Sequence, residues 1–267
     1  MPAIVANGVA LHYEVHGNGP PLVCLGGWGS FCHGEHHHLP WGLTDHYSVV
    51  IVDYRGLGAS GDDAAVPPTI QLYASDVIAV LEHLQLKSAH LLGMVGIGAC
   101  IAQRIAIDRP DLCRSLTNSG SWCTVDRFLA DQLQIFLDTH RTGGFLTFQQ
   151  LVSVMSFEPD YYNRNAERLL GPDGVWKHIN GRVETHARFI AASLQHETRE
   201  QLSSVARPSL IVHAPLDVVT GPRTTQPIAE ALSGCESVTI EGAAHVIAGR
   251  PLKERFSAVL LDFLSRH

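Results

Sequence analysis

The chain of 267 residues is poor in charge: Asp, Glu, Lys and Arg make up 17% of it, and 26 acids against 19 bases leave a formal net charge of −7. It has no basic cluster to follow a phosphate backbone, which excludes nucleic acid as a partner. No apolar run approaches the ~20 residues that a membrane-spanning helix needs, so no membrane role of that kind is expected. The opening Met1-Pro2-Ala3-Ile4-Val5-Ala6-Asn7-Gly8 lacks a charged leader followed by a long apolar stretch, so no secretion signal is expected. The six cysteines (Cys24, Cys32, Cys100, Cys113, Cys123 and Cys235) show no CxxC spacing. Four lie in or beside apolar runs, as reduced, buried thiols of a cytoplasmic protein do. Internal repeats and low-complexity linkers are also missing, and no motif speaks for an oligomer.

What is present is apolar. Hydrophobic residues make up 45% of the chain, enough for one α/β domain with an inserted cap or for two small domains. Val9 to Val15 alternates and closes in the turn His16-Gly17-Asn18-Gly19-Pro20-Pro21. Short strand-like runs follow at Leu22 to Leu25, Val49 to Val52, Leu91-Leu92, Ser209 to Val212 and Ser237 to Ile240. Helix-period segments lie among them at Ile70 to Leu86, Ala99 to Ile107, Pro227 to Leu232 and Leu252 to Leu264. This alternation implies right-handed βαβ units and a mostly parallel central sheet, an α/β fold. From about Trp122 to Glu200 strand-like runs stop and helical stretches such as Arg127 to Thr139 and Phe148 to Met155 take over. Three segments result: a first core part (1–121), a helical cap (122–200) and a second core part (201–267).

One absence bears directly on chemistry. In Leu91-Leu92-Gly93-Met94-Val95-Gly96-Ile97-Gly98-Ala99-Cys100 an apolar run meets a small-residue turn and then a helix-like segment. Such a strand–turn–helix elbow exposes a nucleophilic Ser in G-x-S-x-G enzymes, with glycines permitting the sharp backbone. No Ser, Thr, Asp or Cys stands at this tip; only Val95 and Gly96 are available.

The motifs together resemble the α/β-hydrolase fold family. Asp53-Tyr54-Arg55-Gly56-Leu57-Gly58-Ala59-Ser60 is similar to that family's D-x-R-G-x-G-x-S turn, and Gly26-Gly27-Trp28-Gly29-Ser30 to its His-Gly-x-Gly oxyanion turn, with Gly26 for His. His196-Glu197-Thr198-Arg199, followed by Arg207 to His213, resembles the cap exit and seventh strand of the enol-lactonase, esterase and C–C hydrolase branch. Ala214-Pro215-Leu216-Asp217 falls where the family places its acid, and Glu241-Gly242-Ala243-Ala244-His245 where it places its His. At the elbow, counting back from Ile101-Ala102-Gln103 puts Gly96 at the Ser position, and counting forward from Leu91-Leu92-Gly93 puts Val95 there.

His245 and Asp217 are the candidate catalytic pair, with the carboxylate orienting the imidazole and the imidazole acting as a general base. A remnant pair kept for structure is the plain alternative. The backbone amides of Trp28 and Ile97 are candidate oxyanion donors, one such donor being worth roughly 3 kcal/mol of barrier. Cys100 lies about one helical turn past the tip, near 6 Å away, and Cys24 inside a strand; buried thiols of this kind are inert. The run Cys32-His33-Gly34-Glu35-His36-His37-His38 offers metal-ligating groups without regular ligand spacing, so no metal or other cofactor is expected. It reads as a polar loop in which a histidine such as His33 contacts substrate, together with Gly27 and Trp122. Cap aromatics (Trp122, Phe128, Phe136, Phe145, Phe148, Phe157, Tyr161, Tyr162, Trp176) serve mainly as the cap's own core.

The expected activity is that of an enzyme acting on a small, partly apolar ester, lactone or ketone C–C substrate by His–Asp general-base catalysis, without a serine acyl-enzyme. Two alternatives stand beside it: a lyase, decarboxylase or cofactor-free oxygenase on the same scaffold, and a catalytically inactive ligand-binding homologue.

Overall fold

The computed structural model of the protein describes residues 2–267. Eight strands, β1 (Ala3–Ala6), β2 (Val9–His16), β3 (Pro21–Leu25), β4 (Ser48–Val52), β5 (Ala89–Met94), β6 (Cys113–Ser119), β7 (Ser209–His213) and β8 (Glu236–Thr239), form one sheet in the order β1-β2-β4-β3-β5-β6-β7-β8. β1 and β2 join antiparallel at one edge, and every pairing from β4 to β8 is parallel. This is the expected mostly parallel sheet.

The helices are α1 (Leu43–His46), α2 (Ile70–His83), α3 (Gly96–Asp108), α4 (Arg127–Ser156), α5 (Pro159–Leu169), α6 (Val183–Leu194), α7 (Arg199–Leu202), α8 (Pro222–Ala231) and α9 (Arg250–Ser265). Helix starts follow local chemistry. The Thr69 side chain accepts from Leu72 N–H at the head of α2, and Asp126 does the same for Leu129 at the head of α4. The stretches expected at Arg127 to Thr139 and Phe148 to Met155 are parts of α4, broken at Gly144 (φ 78°, ψ 174°). α2 stops at His83 rather than Leu86, because Gln85 takes a left-handed backbone (φ 56°) that ends the turn. None of the helices in the described residues is long and apolar enough to cross a membrane.

Strand alternation divides the core between two faces. Val23, Leu25, Val50 and Val52 pack with α2 and α3, and their neighbours Leu22, Cys24, Val49 and Ile51 pack with Phe256, Leu260 and Phe263 of α9. One close approach sets the site. A Cβ on Gly98 would lie 2.2 Å from the Gly26 carbonyl oxygen and 2.3 Å from that of Leu25, so only glycine lets the start of α3 rest against the end of β3. The elbow after β5 and the turn after β3 are thereby held side by side.

All of α4 to α7 lies between β6 and β7. The insertion grips the 26–30 turn through Trp28, whose ring meets Phe136 (5.7 Å), Phe148 (5.8 Å) and His186 (4.8 Å between centroids).

Candidate active site

Val95 joins the last residue of β5 to the first of α3, with φ 53° and ψ 146°. That backbone identifies Val95 as the tip of the elbow and decides between the two sequence counts. Gly96 follows at φ 55°, a conformation that glycine tolerates. The Val95 N–H donates to the Ser119 carbonyl (2.9 Å), and the Gly96 N–H donates to that of Gly120 (2.8 Å). The amide directly after the tip is therefore engaged with the neighbouring strand end. Ile97, named above as an oxyanion donor, is one residue further on. Its N–H belongs to the first turn of α3, where intrahelical partners are lacking and no side chain caps the helix.

Asp217 follows β7 and His245 follows β8, and adjacent parallel strands bring the two loops together. His245 Nδ1 lies 3.0 Å from Asp217 Oδ2 and 2.9 Å from Thr220 Oγ1. Asp217 Oδ1 accepts from the Val219 and Thr220 amides (2.8 and 2.7 Å), and Oδ2 also accepts from Thr220 Oγ1 (3.2 Å). The carboxylate is buried, which raises its pKa. The adjacent imidazole, its hydrogen bond and the two backbone donors outweigh burial and hold the group below the usual carboxylate range. An ionised Asp217 calls for N–H on His245 Nδ1, leaving the Nε2 lone pair free for chemistry. Thr220 is a participant that the sequence reading missed. Its signal was the D-x-x-T spacing, which places a hydroxyl and an amide over the carboxylate of a turn.

Two cavities meet at this imidazole. Both are lined by Gly27, Val95 and His245. The larger, about 260 Å³, extends along Phe157, Leu169, Val175 and Phe256. The smaller, about 50 Å³, runs under the insertion past Trp28, Trp122, Phe136 and Val219. Gly27 and Trp122 thus border the cavities that His245 faces. His33 does not. Its Nε2 is bound to Asp53 Oδ2 (2.6 Å) and its ring stacks on His12 (4.9 Å), so it fastens the loop rather than lining either cavity. Asp53 in turn accepts from Ser30 Oγ and the Ala59 amide. The loop histidine that reaches the larger cavity is His38.

Cys24 and Cys100 are both fully buried, and desolvation pushes both thiols far up. Neither supplies a thiolate near neutral pH. Groups of potential metal-ligand atoms within 4.8 Å of one another occur at His12, His33 and Asp53 and at Glu14, His16 and His36. Existing hydrogen bonds occupy much of their capacity, including His16 Nε2 to Glu14 (2.9 Å) and His33 N–H to Glu14 (2.9 Å).

A doubly covered parallel sheet, an elbow between β5 and α3, and an acid and a histidine on the two loops that follow the last strands together define an α/β hydrolase. The chain belongs to that family: the profile described as alpha/beta hydrolase fold matches residues 20–248. It is 25% identical over 266 residues to a protein of Azorhizobium caulinodans named as a carbamate hydrolase, RutD, the match covering 98% of each chain. Its fold is similar to that of MGS-M2, an α/β hydrolase from a Medee basin deep-sea metagenome library (TM-score 0.87, 19% identity, 99% of this chain and 97% of that one). It is also similar to that of the enol-lactonase from Burkholderia xenovorans (TM-score 0.83, 21% identity, 99% and 100% covered).

Proposed function

We propose that the protein hydrolyses a small, partly apolar carbonyl compound with His245 as general base and without an acyl-enzyme. Asp217 and Thr220 fix the imidazole, and Nε2 takes a proton from water, which attacks a carbonyl lying against Val95 and Gly27. The tetrahedral adduct then collapses with cleavage of the bond to the leaving group, which takes the proton back from Nε2. An ester, a lactone and a ketone with a cleavable C–C bond all fit this scheme; the name carried by the RutD relative adds a carbamate. The Trp28 amide, with the uncapped first turn of α3 at Ile97, would receive the developing oxyanion. The observation that carries the reading is the His245–Asp217–Thr220 cluster opening onto a cavity whose elbow tip bears an alkyl group in place of a hydroxyl.

Two measurements test it with 4-nitrophenyl esters and lactones. His245→Ala should lower kcat by about 10³-fold or more, and stopped-flow traces should show no burst of product. A burst equal to the enzyme concentration, or a covalent adduct by mass spectrometry, would overturn the scheme.

A second reading has one observation in its favour. The Gly96 amide is engaged with Gly120, so the elbow lacks the donor that acyl transfer uses. In that case His245 would deprotonate the substrate itself, as in a lyase, a decarboxylase or a cofactor-free oxygenase. Carbon dioxide release or oxygen uptake that depends on His245 would favour it over hydrolysis.

A further inference from the structure

The larger cavity carries basic groups that nothing in the reaction scheme uses. Its wall is mostly apolar, and its titratable side chains besides His245 and Tyr161 are His38, Arg168 and Lys253; no acid lines it. Across the whole chain acids outnumber Lys and Arg, 26 to 19. Elsewhere, part-buried cations have carboxylates: Arg55 with Asp76 (2.7 Å), Arg188 with Asp62 (2.9 Å), Lys177 with Glu35 (2.6 Å). Arg168, itself exposed, donates only to neutral oxygens, Tyr161 Oη (2.7 Å) and Asn165 Oδ1 (3.2 Å). Lys253 is half-buried on the first turn of α9, and no carboxylate contributes to its charge state. Burial first, and then the Arg168 charge, press its pKa downward. Both cations also act unfavourably on His38, whose Nε2 has Glu35 Oε2 at 3.2 Å as its one carboxylate neighbour. Like charges gathered at one end of an apolar wall repel one another, and the half-buried Lys253 also loses hydration. An anion placed between them reverses both costs.

We propose that this end of the cavity is a carboxylate subsite, formed by Lys253 and Arg168, which selects substrates with an anionic tail. The guanidinium fork suits two carboxylate oxygens, and the ammonium adds a point charge beside them. The apolar body of the substrate would lie along Phe157, Leu169 and Phe256. Its reacting carbonyl would reach His245, a placement that rests on the hydrolase reading above; the anion subsite itself does not.

The test uses the intact chain and two kinds of probe. For catalysis, mono-4-nitrophenyl glutarate is compared with 4-nitrophenyl pentanoate, a neutral ester of similar length. The glutarate ester should have at least 10-fold higher kcat/KM, mostly through KM. Lys253→Met should lower that selectivity ratio about 10-fold, Arg168→Met should act in the same direction, and Lys253→Arg should keep most of it. For binding, 4-phenylbutyrate is compared with 4-phenylbutanamide by calorimetry. The acid should bind at least 10-fold tighter to the wild type and to His245→Ala, and lose that advantage in Lys253→Met. Equal binding of acid and amide, an advantage untouched by Lys253→Met, or tighter binding of phenyl phosphate than of 4-phenylbutyrate would overturn the carboxylate subsite. An inert enzyme that still binds the acid through Lys253 would leave the subsite standing and remove the catalytic reading. Turnover of both esters that depends on His245 but shows no acid preference would do the reverse.

Discussion

Valine rarely adopts a backbone like that of Val95. A β-branched residue at φ 53° and ψ 146° lies in a region used almost entirely by glycine, at a cost on the order of 1–3 kcal/mol. The elbow keeps this geometry because the Val95 and Gly96 amides are both tied to the strand end at Ser119 and Gly120. A side chain at position 95 therefore borders the cavities that His245 faces. Val95→Ser is expected to create a nucleophile there, and a burst of about one product per enzyme should appear with 4-nitrophenyl acetate. If the variant shows no burst while His245 remains intact, residue 95 does not occupy the attacking position. At this scale the sequence was partly legible. The order of strands and turns pointed to Asp217 and His245. The choice between Val95 and Gly96 was beyond it, because two anchors disagreed by one residue and only backbone dihedrals separate them. His33 and His38 are five residues apart in one His-rich loop, and nothing in the pattern shows that His33 turns to Asp53 while His38 reaches the cavity.

Among the elements, the contact between α3 and β3 matters most. Gly98→Ala would drive a methyl into the Gly26 and Leu25 carbonyl oxygens, which no flexible side chain can relieve. A loss of about 3 kcal/mol is expected, seen as a lower urea midpoint at unchanged slope; stability within 0.5 kcal/mol of wild type would show that the two elements are not locked. Most strands were legible because buried parallel strands are short apolar runs between turn residues. β6 escaped because Cys113-Arg114-Ser115-Leu116-Thr117-Asn118-Ser119 looks polar, yet Ser115 to Ser119 are all buried. Two of its polar groups are matched from neighbouring elements, Ser115 by His90 (2.7 Å) and Asn118 by Gln103 (2.9 Å), while Thr117 Oγ1 is buried without a partner. β1 escaped for its brevity, although Asn7-Gly8, both at positive φ, is a strong hairpin signal. Of the insertion, helical character could be read but not the short loop between α4 and α5, whose Glu158 caps α5 by accepting from the Asp160 and Tyr161 amides.

Over the whole molecule, buried imidazoles set how stability responds to acid. Burial is the main force holding His186 and His196 down to about 3 and His90 to about 4. In the unfolded chain each titrates near 6.5. Between pH 6.5 and 4 the unfolded state therefore binds more protons than the folded one, and stability falls as pH falls. At pH 5 each group should cost about 2 kcal/mol relative to pH 7. The melting temperature is expected to drop clearly between pH 7 and pH 5, before ordinary carboxylates protonate; a flat profile would show that these histidines are hydrated or already charged.

One of these imidazoles also determines how the insertion holds the 26–30 turn. His140 Nδ1 and His186 Nδ1 lie 3.1 Å apart, and His186 Nε2 is buried without a partner. An orphan acceptor is better tolerated than an orphan donor, so the hydrogen belongs on His186 Nδ1, pointing at the lone pair of His140. The two rings are thus opposite tautomers, and Trp28 rests on the one that donates. A second hydrogen entering that gap would set two N–H groups head to head beneath the indole. The Trp28 wall of the smaller cavity thus leans on a pair of rings joined by a single proton.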